Sequence, residues 1–249
     1  IVFTTLVWLM SLIKKDASII DRFWGFLFVI QSLVYLGLSQ NFSIRSLVLS
    51  SLVLVWGLRL SIHIYQRNRH HGEDKRYTAM REEHGPKKFW WYSLFSVFLL
   101  QAILAFLIGL PILLVNGQTY VAEWTVFDTL GVLIWSLGFY FEVIGDRQLK
   151  AFKEKSENRG KLITSGLWSM SRHPNYFGDA CLWWGYFFFA MSVPFGLWSF
   201  IGPLAMSLFI YHVSGVKLLE KSLRLRYPEF AEYERTTPAF IPNFFKLLR

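Results

Sequence analysis

Apolar residues in this chain come in long runs broken by dense charge, not in an alternating pattern. Seven runs stand out, over residues 1–13, 19–38, 44–65, 92–115, 125–144, 177–193 and 195–213. A helix needs about 20 apolar residues to cross the hydrocarbon core of a bilayer. Lipid offers no partner to backbone N–H and C=O groups, so only helices or closed barrels can span it, and these runs are too long for barrel strands. The pattern predicts an all-α fold: a polytopic bundle of seven transmembrane helices. The first run is short, and no basic stretch followed by a small-residue cleavage site precedes it, so no signal peptide is expected.

The segments between the runs alternate in charge. Residues 14–16, 67–88, 147–172 and 217–249 hold nearly all the Lys and Arg; residues 39–43, 116–123 and 191–194 hold none. Cytoplasmic loops carry the positive charge of membrane proteins, which puts the C-terminus in the cytoplasm and the N-terminus outside. Arg45 is the exception, expected to snorkel to the outer interface. No repeat, low-complexity stretch or linker interrupts the pattern. The expectation is one integral membrane domain over 1–249, in a bacterium in the inner membrane, with cofactor-binding loops at 66–91, 146–176 and 216–249 facing the cytoplasm.

Composition agrees with this. The chain is 53% hydrophobic and 18% aromatic, with a mean hydropathy of +0.34, against about 45–50% apolar for a soluble domain. The net charge of +9 does not argue for nucleic acid, because the basic residues lie in short loops where the membrane already asks for them. Cys181 is the single cysteine, which rules out an internal disulfide and leaves no cysteine-based metal site.

Ionisable groups at or inside apolar runs are costly and functional by default. Asp21 opens the second run, and Arg59 and His63 share one helix face in the third. Arg59 either pairs with Asp21 to hold the bundle or meets a ligand. Glu142 and Asp146, four apart, put two acids at one end of the fifth run, as a helix-end salt bridge or as hydrogen-bonding groups toward a polar ligand.

The basic loops carry more than positive charge. One holds Asn68, Arg69, His70, His71, Arg76 and Tyr77; another holds Lys150, Lys153 and the stretch Arg172–His173–Pro174–Asn175–Tyr176, followed by Asp179. Arg suits phosphate as a bidentate partner, Asn suits an amide or ribose, and Tyr can stack on a ring. The set reads as a polar cap for an anionic, phosphate-rich cofactor. No GxGxxG or Walker pattern occurs, so neither a Rossmann nor a P-loop site carries it. Behind the cap, Trp183, Trp184 and Tyr186 are expected to line a lipophilic pocket or to face lipid.

Gly166–Asp179, GLWSMSRHPNYFGD, resembles the signature of the steroid 5-alpha-reductase-like membrane family, in its bacterial branch formerly called a domain of unknown function. The likeness extends over IIDRFWG (19–25), WGLRLSIHI (56–64), GEDKRY (72–77), DRQLK (146–150) and TTPAFIP (236–242). It implies a seven-helix bundle that binds NADPH from the cytoplasm and reduces a C=C bond conjugated to a ketone. By position, Asn68, Asp146, Asn175 and Asp179 match family cofactor-binding residues. Lys153 falls near a phosphate-binding Arg, and Glu142 where steroid reductases tend to have Asn. The Gln-Glu-Leu-Pro-like motif of the family's second helix and the Tyr of its third are not recognisable. Asp21 is the nearest acid, the Tyr position falls near Gly57, and Arg59 and His63 are the available donors.

The chemistry asks for a donor at the ketone oxygen, where negative charge builds, and for a proton at the alpha carbon. A lipophilic substrate entering from the bilayer, with membrane lipids around it, and NADPH entering from the cytoplasm would put polar residues at the mouth of an apolar helix. No obligatory protein partner is evident. The rival reading is an isoprenylcysteine-type methyltransferase using S-adenosylmethionine, which shares the ArgHisPro-x-Tyr-x-Gly segment and an acid-bearing C-terminal helix around Glu220 and Glu232. A third is a small transporter or lipid-binding protein, disfavoured because the charges cluster toward one face instead of lining a path.

Overall fold

The computed structural model describes residues 1–40, 42–70, 72–119 and 123–245. His71, half of the paired histidines, and residues 246–249 of the basic tail lie outside the described residues. The described residues contain helices, turns and bends and no strand. They form two compact units, Ile1–Trp124 and Thr125–Arg249.

The first unit holds α1 (Val2–Lys14), α2 (Ile19–Arg22), α3 (Trp24–Ser39), α4 (Ile44–Asn68), α5 (Lys75–His84), α6 (Pro86–Ile108) and α7 (Leu110–Asn116). The second holds α8 (Val126–Glu154), α9 (Pro174–Ala190), α10 (Gly196–Arg226) and α11 (Phe230–Thr236). Four helices, α4, α6, α8 and α10, are long and apolar enough to cross a membrane, and α1 and α3 are shorter apolar helices. The protein is an integral membrane protein.

Several boundaries differ from the apolar runs, each for a local reason. The second run splits at Phe23, leaving a single turn, α2, before α3. The fourth run starts early, because Gly85 at φ 73° and Pro86 at the first helical position start α6 inside the basic loop. It then breaks at Gly109 before Pro111. Most of the loop over 66–91 is helical: Asp74 caps α5 by accepting the Arg76 N–H at 2.9 Å. The fifth run continues to Glu154, so Lys150 and Lys153 stand on a helix.

Close backbone contacts set the helix pairs. Gly25 and Gly57 face each other: a Cβ on Gly57 would lie 2.6 Å from the Gly25 carbonyl oxygen and 2.7 Å from Val29. No tyrosine fits at 57, where sequence likeness would put one. In the second unit, Gly131, Gly138 and Gly145 recur every seven residues on α8, as do Gly178 and Gly185 on α9. A Cβ on Gly138 would lie 2.6 Å from the Gly178 oxygen, and one on Gly185 2.9 Å from the Gly131 oxygen. The two helices run antiparallel along a seam of small residues, the usual way to bring backbones close where lipid competes for apolar contact.

Two expectations are corrected here. Arg45 does not snorkel: it is buried at 2% exposure, and its Nη2 donates to the Glu123 carbonyl. Trp183 and Tyr186 do not line an open pocket: both are fully buried, and Tyr186 Oη accepts the Trp135 indole N–H at 3.0 Å. Their rings fill the core of the second unit. Trp184 is half-buried and donates to Ser207 Oγ.

Candidate functional site

In the first unit, the polar residues gather on Asp21. Tyr77 Oη donates to Asp21 Oδ1 at 2.7 Å, and Arg76 Nη2 meets Asp21 Oδ2 at 3.0 Å. Gln101 Nε2, from the apolar helix α6, reaches Tyr77 Oη at 3.3 Å and Asp21 at 3.5 Å. Arg76 is held on its other side by Asp74, at 3.0 Å. The parts come from three elements: α2 supplies the acid, the first turn of α5 the phenol and guanidinium, and α6 the amide. The Asp21 carboxyl lies above the usual carboxylate range, because burial outweighs the opposing pull of Arg76 and the Tyr77 hydrogen bond. Burial and the neighbouring Asp21 charge push the Tyr77 phenol well above its ordinary value. Burial acts on Asp74 too, but hydrogen bonds from Arg76 prevail and hold it low.

Arg76 thus gives Asp21 its cationic partner. Arg59 and His63 stand four apart on α4, each half-buried. Asn68 ends that helix, accepting from Arg67 Nε at 3.2 Å, and Arg69 follows it, exposed.

In the second unit, the α8 acids lie beside the glycine seam. Glu142 is 3% exposed, and Asp146 Oδ1 accepts the Asn175 amide N–H at 2.9 Å. Gly145 makes room for this: a Cβ there would press on Asn175 N at 3.2 Å. Asn175 Oδ1 is buried and has no hydrogen-bond partner among the described residues. The His173 ring stacks on Tyr176, with centroids 5.6 Å apart. Asp179 lies one turn further along α9, half-buried. Lys150 pairs with Glu154 on the exposed face of α8, and Lys153 is exposed there as well.

Arg172 is built into the protein. Its Nε donates to Glu220 Oε1 at 2.8 Å, its Nη1 to the carbonyls of Glu234 and Thr237, and its own N–H to the Pro238 carbonyl. His173 Nε2 also meets Glu220, at 3.3 Å. Ser171 Oγ donates to the Phe240 carbonyl, and Asn243 N–H to the Met170 carbonyl. Residues 170–172 are therefore tied to the C-terminal segment over 234–243.

Sequence reading missed Gln101 and the pairing of Tyr77 with Asp21. It set Glu220 aside as a feature of the rival class. Gln101 is an amide in an otherwise lipid-like run, a signal that was present. The Asp21–Tyr77 contact spans 56 residues and carries no local signal.

Over residues 7–237 the chain matches the model of a family described as "Protein of unknown function (DUF1295)". The chain belongs to that family. It is a steroid 5-alpha-reductase-like family. Three relatives match all or part of it. Uncharacterized protein C594.04c of Schizosaccharomyces pombe is 24% identical over 95% of this chain and 76% of its own length. Steroid 5-alpha-reductase DET2 of Gossypium hirsutum is 28% identical over 45% of this chain and 40% of its own. Probable O-methyltransferase ustE of Ustilaginoidea virens is 41% identical over 18% of this chain and 16% of its own. The chain thus spans less than half of either named enzyme. No solved structure matches it. Family membership makes it a steroid 5-alpha-reductase-like membrane protein.

Proposed function

We propose that this protein is an NADPH-dependent reductase of a C=C bond conjugated to a ketone in a lipophilic substrate. The observation that carries the reading is the buried Asp21–Tyr77 pair, with Tyr77 Oη 2.7 Å from Asp21 Oδ1. Reduction of an enone puts negative charge on the ketone oxygen, and a fixed O–H donor there supplies a few kcal/mol, commonly about 3–4. Burial keeps the Tyr77 phenol protonated and brings the neutral form of Asp21 within reach. When Asp21 holds a proton, its carboxyl donates to the phenol oxygen and frees the phenolic O–H for the ketone. Arg76 and Gln101 hold the pair in place. Arg59 and His63 are proposed as the further polar groups around the reacting carbonyl.

Bound NADPH would supply the hydride. The orphaned Asn175 Oδ1 fits an amide or amine N–H of such a cofactor, and Asp146 holds that side chain by its other end. Glu142, Lys150, Lys153, Tyr176 and Asp179, also in the second unit, are the further residues proposed to hold it, the cations by its phosphates. Titration with NADPH, NADH and S-adenosylmethionine, read by tryptophan fluorescence and thermal shift, tests the reading; saturable, selective NADPH binding is expected. Asn175→Ala should weaken NADPH binding about tenfold, the worth of one good hydrogen bond. An unchanged affinity would remove Asn175 from the site. Tyr77→Phe should lower kcat for a lipophilic enone by about 10²–10³ and leave the NADPH Kd alone; a loss confined to Kd would make Tyr77 a cofactor contact.

The likeness to the O-methyltransferase keeps one second reading, a membrane methyltransferase using S-adenosylmethionine. Binding of S-adenosylmethionine without NADPH would put it first.

A further inference from the structure

We propose that a groove on the first unit, among α1, α2, α3 and α4, binds an anionic phospholipid by one headgroup and part of one acyl chain. The groove holds about 380 Å³, enough for a ligand and not just for water. Phe23, Phe26 and Ile62 make its apolar walls, Tyr65 its rim, and Lys14 and Arg22 its charge.

The two cations lie together because of the chain's path. Lys14 ends α1 and Arg22 ends α2, on either side of the short turn that reverses the chain. Met10 is one turn back from Lys14, and Phe26 one turn on from Arg22; both line the groove. The groove therefore has a charged end at the turn and an apolar end deeper between the helices.

Arg22 is only partly engaged. Its Nη2 meets Asp16 Oδ2 at 3.3 Å, while its buried Nε has no partner among the described residues. The other Asp16 oxygen, Oδ1, is taken by Ser18, through its N–H at 2.9 Å and its hydroxyl. Asp16 thus offsets one of the two cations that face the groove and leaves a surplus. A phosphodiester offers two acceptor oxygens, which suits a guanidinium and an ammonium that line one groove. Ser61 Oγ, beside the apolar walls, accepts the Phe26 N–H at 3.1 Å.

A soluble anion would leave those walls unused. Ile62 and Tyr65 are 55% and 53% exposed on α4, a helix long and apolar enough to cross a membrane, so the groove opens where lipid is. Basic pockets between membrane helices hold anionic headgroups in this way. The proposal does not rest on the reductase reading.

The test is native mass spectrometry of the full chain from mixed micelles holding equal phosphatidylglycerol and phosphatidylcholine with matched chains. One phosphatidylglycerol should be retained at least tenfold over phosphatidylcholine. Arg22→Gln and Lys14→Gln should each erase most of that preference, and Ile62→Trp, which fills the groove from its wall, should lower retention of both lipids. Lys14 is exposed, so its variant folds whatever becomes of Arg22. Equal retention of the two lipids, a preference unchanged by both charge variants, or displacement of phosphatidylglycerol by oleate would each overturn the proposal.

Discussion

Replacing Gly178 by leucine is expected to abolish recovery of folded protein, whereas Gly37→Leu is expected to be tolerated. Gly178 lies on α9 against α8, and a Cβ there would press on the Gly138 oxygen at 2.5 Å and on Glu142 Cα at 3.0 Å. Backbone atoms cannot turn aside as a side chain can. The helices would have to separate along the whole Gly131–Gly185 and Gly138–Gly178 seam, taking with them the Asp146–Asn175 hydrogen bond. Overpacking a core costs about 1–3 kcal/mol when side chains can shift; a backbone-to-backbone seam has no such relief, and the cost should exceed that range. At Gly37 a Cβ meets nothing within 4 Å. Size-exclusion profiles and Tm in detergent decide it. A Gly178→Leu variant with unchanged Tm would mean that α8 and α9 do not approach as closely as the seam requires.

Arg172→Met should lower stability by about 3–5 kcal/mol, the usual result of stranding one partner of a buried ion pair. The side chains of Arg172 and Glu220 are 7% and 8% exposed, so water offers Glu220 little compensation. For a chain of this size that corresponds to a Tm lower by roughly 10 °C. The loss should also be local. Arg172 is the hub on which residues 234–238 hang, so limited proteolysis should cut the tail near Thr237 in the variant and spare it in the parent. The double variant Arg172→Met with Glu220→Leu should regain part of the loss, since no charge is then stranded. A single variant with a protected tail and an unchanged Tm would show that the carbonyl contacts are dispensable and the pair is worth little.

The proposed reductase chemistry meets this scaffold at Asn175. Its neighbours on the chain, Arg172 and His173, both meet Glu220, so the cationic side chains of this stretch are already engaged within the fold. That leaves the amide of Asn175, with one end held by Asp146 and the other buried without a partner among the described residues, as the group best suited to a cofactor's N–H. The Arg172 and Asn175 variants should therefore separate: the first moves Tm, the second moves NADPH affinity.

The helical class and the membrane setting were legible in the chain itself, because seven long apolar runs and their charged breaks reflect a solvent that admits few backbone conformations. The family was legible too, in GLWSMSRHPNYFGD and its companion segments, since short-range motifs survive without any knowledge of packing. The heptad spacing of Gly131, Gly138 and Gly145 is also present in the sequence, but a glycine does not say whether it makes a turn, a kink or a contact. What only the tertiary structure decided is which polar groups meet. Asp21 could pair with any of several cations, and it takes Arg76 and Tyr77 because α5 folds back from the polar loop. Trp183 and Tyr186 read as pocket or lipid-facing rings, and they are core because the glycine seam draws α9 against α8. Sequence specifies which groups are costly to bury; the long-range contacts that offset the cost depend on chain reversals tens of residues away, which no local pattern encodes.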